Sequence, residues 1–248
     1  MHKKQLEQIH IVGIRYLNAR LVEAETSPLE AYSASDIYQA ARVPFCYLEP
    51  ELRPEHFTLD EVENIGRLGG EIAEAVANGC EKGRGVLVTG GNCSHMTGVL
   101  GGLQQAYGAQ ARIGLVWFDA HGDFNTPRTT ISGMLGGMPV AVAAGLAYPN
   151  WRERSGMLAP LATDRILMVD VRNLDPAEAQ LMRATEVVTA AAAPGFPGVD
   201  LQQAVTELAA RVDFIYLHID ADILDERYVP NHPTREPNGP DMAQVQAA

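Results

Sequence analysis

The sequence predicts an α/β fold of three layers, α/β/α, built on a mainly parallel sheet. Two observations carry that reading. Short β-branched or apolar runs alternate with longer segments whose apolar residues repeat at helical spacing, and the polar, chemistry-bearing clusters follow directly on the strand-like runs. The chain has 248 residues, enough to bury one substantial core, and no composition shift divides it, so 1–248 is read as a single domain.

Gln8 to Gly13, Gly85 to Thr89, Ile113 to Phe118, Arg165 to Val171 and Phe214 to Ile219 read as buried strands. Between them, Leu59 to Asn78 repeats Val62, Ile65, Leu68, Ile72 and Val76 on one face and stops at Gly79, which suits the residue just past a helix end. Ser94 to Tyr107, Gly137 to Leu146, Pro176 to Ala184 and Val199 to Val212 are further helices, the third opening on a proline at a first helical position. Pro194 to Gly198 is a loop. Strand and helix in alternation imply right-handed crossovers and helices on both sheet faces.

The formal charge of −12, with only 19 Lys and Arg, argues against a nucleic-acid surface and leaves room for bound cations. Cys46, Cys80 and Cys93 are an odd number at wide spacing, which suits free thiols and makes the cytoplasm the expected compartment. Met1 to Ile11 is polar, and nowhere does an apolar run reach the roughly 18 residues of a membrane span.

In a parallel sheet, ligands bind beyond the carboxyl ends of the strands. Asp119, His121 and Asp123 follow the third run and alternate with small residues, so a period of two turns them the same way. Taken singly, such residues are more often helix caps, Asx turns or satisfied polar groups. Here the pattern recurs, because Asp220 and Asp222 follow the last run with Asp225 beyond them. Carboxylates so crowded repel one another. Divalent cations remove that repulsion, and carboxylates with imidazole form the ligand set of a hard ion such as Mn²⁺.

These residues carry a resemblance. Asp119-Ala-His121-Gly-Asp123-Phe-Asn125-Thr-Pro127 resembles the central signature of the ureohydrolases, the family of arginase, agmatinase and formiminoglutamase. Asp220-Ala-Asp222-Ile-Leu-Asp225 is similar to their second aspartate motif. Gly90-Gly91-Asn92-Cys93-Ser94 takes the place of their Gly-Gly-Asp-His-Ser motif, and Ser132-Gly-Met-Leu-Gly136-Gly137 resembles their Ser-Gly-Asn-Leu-His-Gly segment. The order and spacing agree from about Leu87 to Asp225. The resemblance implies an arginase-like α/β domain holding two Mn²⁺ ions, whose bridging hydroxide attacks the carbon of a guanidino or formimino substrate and cleaves a linear C–N bond. It further implies that Asp119 and Asp220 bridge the ions, that His121 and Asp222 complete one shell, and that Asp123 completes the other and accepts a hydrogen bond from the nucleophile. Asn125 and Ser132 would face the substrate, and a homo-oligomer is the family habit.

Two positions depart from that pattern. Cys93 stands where the family has a histidine ligand, and as a thiolate ligand it would favour Zn²⁺ or Fe²⁺; His95, two residues on, is the other candidate for the missing imidazole. Gly136 stands where arginases have a proton-transferring histidine and can move no proton. The chain also stops soon after Asp225, where family members add a strand, a helix and a carboxylate for the guanidinium. A natural short form and a C-terminally truncated fragment both fit.

Two other functions are open to the sequence. A non-catalytic ureohydrolase-like subunit with an incomplete metal site would explain Cys93 and Gly136. A metal-free cysteine hydrolase, with Cys93 as nucleophile and His95 or His121 as base, would leave the aspartates unexplained. Gly90-Gly91 lacks the lysine of a phosphate-binding loop and reads as a turn.

Overall fold

The computed structural model describes residues 7–248, so the first six residues of the polar N-terminal stretch lie outside the described residues. The strands are β1 (Ile9–Ile14), β2 (Tyr16–Leu17), β3 (Arg20–Leu21), β4 (Phe45–Leu48), β5 (Gly85–Gly90), β6 (Ile113–Phe118), β7 (Ile166–Val169), β8 (Val188–Ala190) and β9 (Phe214–Ile219). The α-helices are α1 (Pro28–Ala34), α2 (Glu61–Glu81), α3 (Met96–Tyr107), α4 (Pro139–Ala143), α5 (Pro149–Arg154), α6 (Pro176–Arg183), α7 (Leu201–Ala209) and α8 (Met242–Ala247). The chain forms two compact units: residues to Gln110 with Tyr148–Ala159, and Ala111–Ala147 with Pro160–Ala248. Each holds a parallel sheet flanked by helices, which is the predicted fold class.

In the first unit the strand order is β4-β1-β5, parallel throughout. Helix α2 forms because Asp60 caps it, its carboxylate accepting the Val62 and Glu63 amides, and because one stripe is apolar. Ile65, Leu68, Ile72 and Val76 are all fully buried, and each contributes roughly 1.5–3 kcal/mol of apolar burial. The helix does not stop at Gly79. It runs on to Glu81, with the left-handed turn at Gly83. Gly79 is needed for packing instead, since a Cβ there would lie 2.8 Å from Val86 Cγ2 and 2.9 Å from His10 Cβ.

In the second unit the order is β8-β7-β6-β9, again all parallel. One face is packed by Val116, Phe118, Leu167 and Val169 against Ala204 and Leu208 of α7 and Ile223 beyond β9. The expectation that every strand is buried fails at β5 and β9, the edges of their own sheets. Along β9, Ile215, Leu217 and Ile219 are exposed while Tyr216 and His218 point the other way. Sequence periodicity also missed the four-residue β4 and three-residue β8, which are too short to show a period. The helix expected over Gly137 to Leu146 shrinks to α4, started by Pro139 and ended before the left-handed Gly145. No helix among the described residues is long and apolar enough to cross a membrane.

Candidate metal centre

Strand pairing places the two aspartate motifs side by side. β6 and β9 are neighbours with Phe118 opposite Ile219, and the Asp220 amide continues the ladder to the Phe118 carbonyl at 2.8 Å. Asp119 and Asp220 are thus the first residues beyond adjacent parallel strands, at the carboxyl end where a parallel sheet collects its chemistry. Asp220 Oδ1 accepts the Asp222 amide at 2.9 Å, turning the chain so that Asp222 points back toward Asp119 and His121.

The result is a tight constellation of donors. Asp119, His121 and Asp222 offer ligand atoms within 4.8 Å of one another, as do Asp220, Asp222 and His232, and as do Asp119, His218 and Asp220. His121 Nδ1 lies 3.3 Å from Asp119 Oδ1 and 3.1 Å from Asp222 Oδ2, while its Nε2 lies 3.1 Å from Glu236 Oε1. Asp222 is held further by the Ala120 amide at 3.2 Å and the Thr234 hydroxyl at 2.7 Å. His232 Nε2 approaches Asp220 Oδ1 at 3.5 Å.

Asp119 and Asp222 are each only 1 % exposed, and burial governs the electrostatics. Desolvation and the Asp123 charge raise Asp119 well above the usual carboxylate range. Burial pulls His121 down, but the Asp119 and Asp222 carboxylates outweigh it and raise it to about 11. Burial likewise pushes Asp222 up, yet the His121 and Thr234 hydrogen bonds prevail and hold it at about 2. Negative charge packed so densely is the electrostatic signature of a cation site. Oxygen and imidazole donors fit hard divalent ions.

The structure therefore brings Asp119, His121, Asp220 and Asp222 together. Asp123 is buried beside them in a left-handed conformation (φ 45°), its carbonyl accepting the Val140 amide at 3.0 Å, but it belongs to none of the three donor groups among the described residues. Asp225, read from sequence as part of the cluster, faces its own loop instead: its carboxylate accepts from Arg227 Nε at 2.6 Å and the Asn238 amide at 2.9 Å. Asn125 is buried, donating to Asp175 Oδ2 at 3.3 Å and accepting from Thr129 Oγ1 at 2.9 Å, whereas Ser132 is exposed. In the other unit, Cys93 opens a short 3₁₀ turn after β5 and is half-buried. His95 is not available as a donor, since Nδ1 accepts the Asn92 amide at 3.1 Å and Nε2 lies 2.7 Å from the Asn18 carbonyl.

Sequence reasoning missed Glu236, Thr234 and His232, which sit in a proline-broken tail with no motif, and Arg172. The Arg172 guanidinium donates to the carbonyls of Asp222 (3.0 Å), Ile223 (3.1 Å) and Pro237 (3.1 Å), tying the second aspartate motif to that tail.

Comparison with known proteins places this geometry. The model of the Arginase family matches residues 14–248. Arginase from Bacillus caldovelox is 30% identical over 176 residues, covering 69% of this chain and 58% of the relative. Neurospora crassa arginase is 30% identical over 197 residues, covering 74% and 53%; the chain thus spans little more than half the length of these two relatives. The crystal structure of arginase from Bacillus cereus superposes with a TM-score of 0.79 at 23% identity, covering 96% of this chain and 83% of that one. The family match runs through nearly the whole sequence and includes both aspartate motifs, and the chain belongs to the arginase family.

Proposed function

We propose that this protein is a metal-dependent hydrolase of linear C–N bonds in a guanidino or formimino compound, an amidinohydrolase of the arginase or agmatinase type. The observation that carries the reading is the convergence of buried Asp119 and Asp222 with half-buried His121 and Asp220 beyond the ends of two adjacent parallel strands. Asp119 and Asp220, with His121 and Asp222, would hold the Mn²⁺ ions. When bound, such ions supply an acidified water and polarise the carbon to be attacked.

The chain's own groups do the rest. Asp123, buried next to Asp119, would accept a hydrogen bond from the attacking nucleophile. Ser132, exposed on the loop after β6, meets the substrate, and Asn125 orders that loop through Asp175 and Thr129. The non-catalytic alternative is not favoured, because the carboxylates of Asp119, Asp220 and Asp222 and the His121 imidazole still stand together as a candidate donor set.

The test is metal analysis of protein purified without added metal, followed by a urea- and ammonia-release screen of guanidino and formimino compounds. The wild type should bind Mn²⁺ and hydrolyse one class, and His121→Asn and Asp220→Asn should each lose metal and turnover together. Wild-type metal content in either variant would refute the assignment.

A further inference from the structure

His218 lies two residues before Asp220 on β9, so the strand's period of two sets both side chains on one face. Trp117 lies directly opposite it in register, two residues before Asp119. The two rings stack with centroids 3.8 Å apart and 7° from parallel, and His218 Nδ1 is 3.2 Å from Tyr216 Oη. The imidazole is therefore clamped on one face and at one nitrogen. Its other nitrogen, Nε2, is buried and has no hydrogen-bonding partner among the described residues. A buried polar atom left so is uncommon in a folded protein and calls for a cause.

The surroundings supply one. A ring nitrogen of His218 and a carboxylate oxygen from each of Asp119 and Asp220 lie within 4.8 Å of one another. Donors bonded to one ion at about 2.0–2.2 Å stand at most about twice that distance apart, so the three are close to a shared coordination sphere. A ligating histidine commonly donates its second N–H to an oxygen that fixes the tautomer, and Tyr216 Oη is placed to accept from Nδ1.

We propose that His218 is a metal ligand, its Nε2 completing the coordination of the ion held by Asp119 and Asp220. The inference rests on the metal-dependent reading given above and adds to it an imidazole donated from within the strand. It also adds a nitrogen donor separate from the His121 imidazole.

The experiment is Mn²⁺ titration of the chelator-treated full chain, read as stoichiometry by elemental analysis after equilibrium dialysis and as affinity by calorimetry. His218→Phe keeps the stacking ring and removes the donor nitrogen. It should lose one of the bound ions or bind it at least tenfold more weakly, with the melting temperature of the metal-free form little changed. Two ions bound with wild-type affinity would overturn the proposal while leaving the metal-dependent reading intact; a wild type that binds no metal would overturn both. Independently of any variant's folding, ¹⁵N-histidine NMR of the wild type with Zn²⁺ should move the His218 Nε2 resonance to a metal-bound position. An unmoved resonance in the loaded protein would refute the ligand role.

Discussion

The Arg172 guanidinium donates to the Asp222 carbonyl at 3.0 Å while pairing with Asp170 at 2.7 Å, so one side chain from the loop after β7 fixes the backbone of a candidate metal ligand. No sequence motif announces this. The same guanidinium reaches the Ile223 and Pro237 carbonyls, both at 3.1 Å, adding to the hydrogen bonds that join these two loop segments.

Truncating that side chain should be costly. Arg172→Ala leaves Asp170 buried without its cation and removes the donor that the Asp222, Ile223 and Pro237 carbonyls share, and is expected to destabilise the fold by about 3–5 kcal/mol at neutral pH. Arg172→Lys, which keeps the charge but not the planar fork, should lose less stability yet still weaken metal binding. Denaturant unfolding and Mn²⁺ titration of both variants check this; a loss under about 1 kcal/mol for the alanine variant would show that the loop is held by other contacts.

The same pair gives a pH signature. Burial raises Asp170 from 3.8 to about 6, although Arg172 partly opposes the rise. A folded-state value above the unfolded one means that the native form holds the proton more tightly. The contribution of Asp170 to stability is therefore fully present below about 3.8 and is lost as pH rises through about 6. The span corresponds to roughly 3 kcal/mol. Asp170→Asn removes the titration and tolerates the left-handed backbone at this position (φ 60°). The variant should gain stability relative to wild type between pH 4 and pH 7, and parallel stability–pH curves would contradict the assignment.

What could be read from sequence was whatever local pattern encodes. The runs ending at Phe118 and Ile219 are long enough to show strand character, and the aspartates that follow inherit their positions from strand geometry. Asp119, His121, Asp220 and Asp222 were legible for that reason. Glu236 and Arg172 were not, because their roles depend on loops brought together only in the fold. His218 sits inside an apolar run and reads as a core residue, and its relation to Trp117 requires the β6–β9 register, which no single segment contains. Asp225 was misread because motif spacing does not reveal that Arg227 and Asn238 turn it away.

Gly79 offers a test of packing against propensity. In an exposed helix, Gly→Ala normally gains up to about 1 kcal/mol. Here the added methyl would press on Val86 and His10, both parts of strands that α2 covers. Gly79→Ala is expected to lose about 1–3 kcal/mol, as overpacked cores do. A thermal melt showing a stabilised variant would mean that α2 can shift away from the sheet.

The last prediction concerns the partner of His121 on the side away from the aspartates. Nδ1 faces Asp119 and Asp222, so a metal bound there takes the Nδ1 lone pair and leaves the proton on Nε2. That N–H points at Glu236 Oε1, 3.1 Å away, and Glu236 is itself positioned by the Asn173 side-chain amide at 2.7 Å. A carboxylate behind a ligating imidazole fixes the tautomer and makes the ring a stronger donor, and losing it commonly costs 10- to 100-fold in metal affinity or activity. Glu236→Gln should therefore weaken Mn²⁺ binding by about that factor, the amide keeping the shape while removing the charge. Asn173→Ala should give a smaller loss in the same direction, because it frees the carboxylate without neutralising it. Calorimetric titration of the chelator-treated proteins decides the matter: if Glu236→Gln binds Mn²⁺ as tightly as wild type, His121 either uses the other nitrogen or contributes no metal bond.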